Sequence, residues 1–196
     1  MTVTVATNLA DALAALRATP DARLLQGGTD TMVEINFNHF KPEHIVALRK
    51  VQELRNFSIQ EEKGLIFIGS GVPYQTLEND PFLTLLPALA QASRTVGSPQ
   101  IRAAGSLGGN LGTCSPAGDG LPVLSALDAT VHLQSVDASR DVLIHDFMVG
   151  VKKNARKPDE IITGVTVPIL RGFQGYSKVG VRNAMVISVA SACLAV

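Results

Sequence analysis

Tryptophan is absent from the 196 residues, and Tyr occurs only twice. So few aromatics argue against a surface that stacks bases or sugars. Cysteine occurs twice, as Cys114 and Cys193, far apart and with no CxxC between them. That excludes an iron–sulfur cluster or structural zinc held by this chain, and it fits reduced thiols in a cytoplasmic protein. Net charge is also missing. Seventeen basic side chains balance seventeen acidic ones, with no basic patch, so nucleic acid is not an expected partner. No apolar run approaches the roughly 18 residues a membrane helix needs. The opening MTVTVATNLADALAALR lacks the basic start and apolar block of a signal peptide. His39, His44, His132 and His145 are scattered without metal-ligand spacing. No serine or cysteine sits in a nucleophile elbow. Neither a catalytic side chain nor a metal centre is therefore predicted, and the length admits one good core or two small ones sharing an interface.

What the chain does have is glycine in one place. GSPQIRAAGSLGGNLGTCSPAGD, residues 97–119, carries glycine at 97, 105, 108, 109, 112 and 118, with small polar side chains between. It reads as a long loop between two apolar segments. Unpaired amides in such a loop need partners, and phosphate oxygens suit them. Asn110 and Ser115 add side-chain donors or acceptors. The bland alternative is an ordinary surface loop, disfavoured by its place between apolar segments. Cys114 within it reads as a small packed residue rather than a reactive thiol. A second glycine pair stands in LLQGGTDTMVEIN, residues 24–36. This predicts a strand, a tight turn, and a helix capped by Thr29 or Asp30, with Met32, Val33 and Ile35 facing a core. Neither stretch is a GxGxxG or GxxxxGK[ST] fingerprint.

The rest of the chain falls into three parts. Residues 1–55 alternate strand and helix, with Asn8 and Asp11 as a capping box and Leu9, Leu13 and Leu16 as one apolar stripe. Residues 56–175 contain two strands around the charged turn EEKG, and a helix across FLTLLPALAQASRTV. After the glycine run they continue with an alternating strand (Ala129, Val131 and Leu133 inward) and further strands over 140–144 and 160–167. The basic stretch KKNARKPD, residues 152–159, reads as a solvated turn, with a docking surface as the alternative. Residues 176–196 give two strand-like pieces and then stop on an apolar strand with no polar tail, which reads as a cut end.

LLQGGTD, IGSGVPYQTLE, VGSPQIRAAGSLGGNLGTCSPAGDGLP and KPDEIITGVTVP, in that order, resemble the flavin-binding subunit of the molybdenum hydroxylases, the xanthine dehydrogenase and carbon monoxide dehydrogenase family. The resemblance implies an α+β, two-subdomain FAD-binding fold of the PCMH (vanillyl-alcohol-oxidase-like) type with its C-terminal domain largely missing. It also implies FAD in this chain, and molybdopterin and 2Fe-2S clusters on a large and a small partner subunit. Electrons would pass from the clusters through FAD to NAD or another acceptor. By motif match, Leu25, Gln26, Gly27, Gly28, Thr29, Asp30 and Thr31 would hold the cofactor from one side, and Ser106, Gly109 and Asn110 from the other. Ser115 and Asp119 would lie further along, with Asp119 accepting from ribityl or adenosine hydroxyls. Ile162 would pack on the isoalloxazine, and Lys178 would lie near its polar edge. Without the resemblance, Ile162 reads as a core strand residue and Lys178 as an exposed strand charge. Two other functions fit the same motifs: a cofactor-free assembly module, and a standalone flavin oxidoreductase.

Overall fold

The computed structural model describes residues 1–196. The first part runs β1 (Thr2–Val5), α1 (Leu9–Ala18), β2 (Arg23–Leu25), α2 (Thr31–Asn36) and β3 (His44–Ala47). Its strands pair in parallel in the order β1-β3-β2, as strand–helix alternation requires. The cap of α1 forms as expected. Asn8 accepts from the Asp11 backbone N–H at 2.8 Å and its side-chain amide donates to the Asp11 carboxylate at 2.7 Å. Ala12, Leu13 and Leu16 are buried on Val46, Leu48 and Leu54. Ile161, from far down the chain, completes that core.

α2 departs from expectation. Met32 and Val33 are exposed and Ile35 is half-buried; within the helix Thr31 alone is buried. The helix has only six residues, too short for a continuous buried stripe. Glu34 instead ties it down through Arg23 at 3.0 Å and Lys152 at 3.3 Å.

The second part begins with β4 (Phe57–Gln60) and β5 (Leu65–Gly69), followed by α3 (Tyr74–Leu77), α4 (Phe82–Leu85), α5 (Pro87–Arg94), α6 (Pro99–Ala104), α7 (Leu107–Thr113) and α8 (Gly120–Ala126). It ends with β6 (Thr130–Gln134), β7 (Ser139–Leu143), α9 (Ile144–Phe147), β8 (Met148–Gly150), β9 (Lys153–Asn154) and β10 (Ile161–Pro168). β4-β5-β10-β6-β7 form one antiparallel sheet. Ile66, Ile68, Val131, Leu133, Val165 and Val167 line its inner face against Leu89, Leu107, Leu111 and Leu124 of the helices. The apolar segment read as one helix is two. Pro87 pushes Leu86 out of helical geometry, to φ −133° and ψ 60°, so α4 stops and α5 starts afresh.

Residues 97–119 are also corrected: much of this run is helical. Ser98 caps α6, with Pro99 in its first turn, and Ser106 caps α7 by accepting from Gly109 N–H at 3.2 Å. Gly108 sits inside a helix because the chain crosses there. A Cβ at that position would lie 2.4 Å from Ser70 Cβ.

β11 (Gln174–Gly180) and β12 (Ser188–Ala195) make an antiparallel hairpin packed on α5 and α8. Val179 and Val189 on its strands are exposed.

A half-buried fork fixes the approach to β10. The Arg140 guanidinium donates to both Glu160 carboxylate oxygens, at 2.7 and 2.9 Å, and to Ala155 O at 2.7 Å. Arg140, and the Lys157 N–H at 2.7 Å, hold the Glu160 carboxyl below its usual range, against the opposing effect of burial. A depressed carboxylate contributes stability above its unfolded value, which is lost as pH falls through the folded one. Urea midpoints should therefore drop between about pH 5 and pH 3, and Glu160→Gln should flatten that dependence. An equally steep fall in the variant would show that other carboxylates carry it.

Candidate functional site

A cavity of about 970 Å³ opens where the two parts and the hairpin meet. One wall is the β2–α2 turn. Gly28 has φ +73°, a left-handed conformation that glycine adopts without strain. Gly27 is required by packing: a Cβ there would lie 1.9 Å from the carbonyl oxygen of Ala104. The turn is thus seated directly on the end of α6. No hydrogen bond within the chain engages the backbone N–H of Gly27, Gly28, Thr29, Asp30 or Thr31. Asp30 stands at the N-cap position of α2 but makes no capping bond; its carboxylate accepts from Thr113 Oγ1 at 3.2 Å, bridging the two glycine segments. Leu25 and Gln26 also line the wall, and Gln26 Oε1 is buried with no partner.

A second wall is α7 and the turn after it. Ser106, Gly109, Asn110 and Ser115 all line the cavity, so the structure brings together the residues that the sequence set on two sides. Their polar atoms are partly committed. Ser106 Oγ caps α7, Asn110 Oδ1 accepts from Gly120 N–H at 3.2 Å, and Ser115 Oγ accepts from Ala117 N–H at 3.3 Å. Asn110 Nδ2 has no hydrogen-bond partner. At Gly109 a Cβ would meet only Ser106 Oγ, at 3.5 Å. Ile162, buried on β10, adds an apolar patch.

Asp119 lines the cavity but faces a network of its own. Its Oδ1 accepts from Tyr176 OH at 2.7 Å and its Oδ2 from Lys178 Nζ at 2.8 Å. Lys178 also donates to Thr95 O at 2.9 Å and Val186 O at 3.0 Å. It is neither an exposed strand charge nor part of this cavity's lining. Buried and saturated with acceptors, it ties the hairpin to the start of α8. Burial first, and then the Asp119 carboxylate, push the Tyr74 hydroxyl far above its ordinary range; burial and the hydrogen bond to Asp119 do the same for Tyr176. Both remain neutral donors or acceptors. Cys114 is buried and outside the lining, and burial raises its thiol, which disfavours the reactive thiolate.

Three arginines were not identified from the sequence: Arg23, Arg156 and Arg182 line the cavity. Arg156 belongs to the stretch read as a solvated turn. Its only signal was basic charge between two strands, which does not distinguish solvent from a cavity wall. The site as a whole offers open amides, guanidinium groups and apolar walls. That combination suits an extended ligand with an anionic middle and flat apolar ends.

Over residues 1–170 the chain matches the model described as the FAD binding domain in molybdopterin dehydrogenase. It is 38% identical over 179 residues to the nicotinate dehydrogenase FAD-subunit of Eubacterium barkeri, covering 88% of this chain and 60% of that one. To the glyceraldehyde dehydrogenase medium chain of Sulfolobus acidocaldarius it is 32% identical over 192 residues, covering 97% and 68%. Among solved structures, the Cu,Mo-CO dehydrogenase superposes with a TM-score of 0.92 at 27% identity, covering 98% of this chain and 68% of that one. The chain spans about three fifths to two thirds of the length of these relatives. The cavity between two glycine-built walls and the match over 1–170 agree: the chain belongs to the family of FAD-binding domains of the molybdopterin dehydrogenases.

Proposed function

We propose that the chain is the flavin link of a molybdenum-containing hydroxylase, holding FAD in the cavity between its two parts. The supporting observation is the row of unengaged amides at residues 27–31, in a cavity that Gly109 also lines with room at its Cβ position. Those amides suit the pyrophosphate. The orphaned Gln26 Oε1 suits a hydroxyl or amino donor of the cofactor. Ile162 and the hairpin side of the cavity take the isoalloxazine, shielding it from water. With both its oxygens occupied, Asp119 receives a ribityl or adenosine hydroxyl only through a remaining lone pair. Lys178 acts on the flavin edge indirectly, by fixing the hairpin. When bound, FAD supplies the redox chemistry connecting iron–sulfur clusters and molybdopterin on two partner subunits to NAD or another acceptor. The chain's own residues bind, orient and desolvate it.

The purified chain should show a flavin absorbance spectrum and release FAD identifiable by mass spectrometry. No uptake even from excess FAD would overturn the proposal. Gly109→Val should abolish uptake while leaving the circular dichroism spectrum intact, because its methyl groups fill the cavity. Gly109→Ala should stabilise the empty fold by about 0.5–1 kcal/mol, as Ala replaces Gly within a helix. If Gly109→Val retains full FAD affinity, the pyrophosphate lies elsewhere.

A further inference from the structure

Arg156 has a specific arrangement in the cavity wall. Its Nη1 donates to three carbonyl oxygens of the turn ahead of β10: Lys157 at 2.9 Å, Pro158 at 3.2 Å and Glu160 at 2.7 Å. Its backbone N–H is held by Asn154 Oδ1 at 3.1 Å, and the Asn154 amide is anchored on Leu111 O and Gly112 O. The guanidinium plane is therefore fixed by backbone on one side. On the other, Nε and Nη2 meet no acceptor in the chain, and Arg156 lines the cavity. No carboxylate pairs with it. The Glu160 carboxylate already accepts the Arg140 fork and the Lys157 N–H. Arg23, by contrast, has Glu34. Burial lowers the Arg156 pKa, the carboxylate of Glu160 opposes that most, and the smaller effects of Arg23 and Asp159 pull in opposite directions. A guanidinium with no direct ion pair and two nitrogens without acceptors, in a partly desolvated wall, is costly unless a ligand supplies the missing acceptors.

We propose that Arg156 is a cofactor-binding residue that holds the ADP half of the ligand, offering its free Nε and Nη2 hydrogens to phosphate or adenine acceptors. This rests on the FAD assignment above. Arg156 feels the charge of Arg23 on β2, the strand that leads into the turn assigned to the pyrophosphate, whereas Arg182, Met185 and Ile187 of the hairpin build, with Ile162, the wall assigned to the flavin. A pre-oriented planar fork recognises phosphate oxygens or a purine edge with two hydrogen bonds, which an ammonium cannot reproduce.

The test is calorimetric binding of FAD, ADP and FMN to the purified chain and to Arg156→Ala and Arg156→Lys. Arg156→Ala should weaken FAD and ADP by about tenfold or more, the loss expected for hydrogen bonds to a charged group. FMN affinity should change by less than about twofold. Arg156→Lys, which keeps the charge and an anchor for the turn, should recover only part of the ADP affinity at an unchanged melting temperature. The lysine variant carries the test alone if the alanine variant fails to fold. Unchanged ADP affinity would overturn the proposal, as would equal losses for ADP and FMN, which signal a slackened wall and no direct contact. A wild-type chain that binds no FAD overturns the parent assignment with it. Wild-type FAD binding with an indifferent Arg156 overturns only this one.

Discussion

Lys178→Met should destabilise the chain by about 3–5 kcal/mol, the usual cost of leaving one partner of a buried ion pair alone. The Lys178 and Asp119 side chains retain only 5% and 9% of their exposure, so water cannot compensate the stranded carboxylate. Two backbone carbonyls, of Thr95 and Val186, would lose their donor as well. Tyr176 still donates to Asp119 in the variant, which sets the loss at the lower end of the range. The double variant Asp119→Leu, Lys178→Met should recover much of the loss, because no lone charge remains. Urea unfolding of the four proteins of this cycle provides the measurement. A single variant with the wild-type midpoint would mean that water reaches Asp119 and that the hairpin is held by packing alone. The same variant should take up FAD more weakly, since the hairpin contributes Met185, Val186 and Ile187 to the cavity.

Gly27→Ala is the second large effect, and it is steric. The added carbon would sit 1.9 Å from Ala104 O, 2.5 Å from Ala104 C and 3.0 Å from Gly105 N. All three are backbone atoms and cannot rotate away. Overpacking by one carbon ordinarily costs about 1–3 kcal/mol; here the neighbour is rigid, and the cost should exceed that range. The contact joins the β2–α2 turn of the first part to α6 of the second, so relief requires the two parts to separate. The cavity between them would widen and the amides of residues 27–31 would leave their positions. We expect no FAD uptake together with a lowered melting temperature, in contrast to Gly109→Val, which should lose FAD with its fold intact. A Gly27→Ala protein that melts and binds like wild type would show that the junction is loose enough to part without cost.

Local signals carried much of the fold. The Asn8–Asp11 cap, the parallel first sheet and the alternation of Val131 and Leu133 follow from spacing and capping chemistry that act within a few residues. The two glycine segments were visible as the walls of a site, although one was misread as a loop. Glycine at 108, 109 and 112 has poor helix propensity, and tertiary packing on Ser70 together with the Ser106 cap outweighed it. What was not legible depends on distance in sequence. Arg156 looks like any charge in a turn until the carbonyls of residues 157–160 and the start of β2 close around it. Lys178 looks like an exposed strand cation until Asp119, Thr95 and Val186 converge on it. Met32 and Val33 look like core because hydrophobicity alone does not say which face a short helix presents.

Ile161 and Ile162 are neighbours on β10, yet Ile161 completes the core of the first part and Ile162 belongs to the core of the second. The consequence appears during synthesis. A nascent chain that has released β1, α1, β2 and β3 from the ribosome has every local element of the first part but lacks one of the buried side chains of its core. That part cannot close as an independent unit while the remainder is being made; it waits for β10. A chaperone meeting the growing chain should therefore find the apolar surface of Leu16, Val46 and Leu54 open until β10 has been made. Arrest of translation just before Ile161 should leave that surface sensitive to protease, and arrest far enough past β10 for the strand to clear the exit tunnel should protect it.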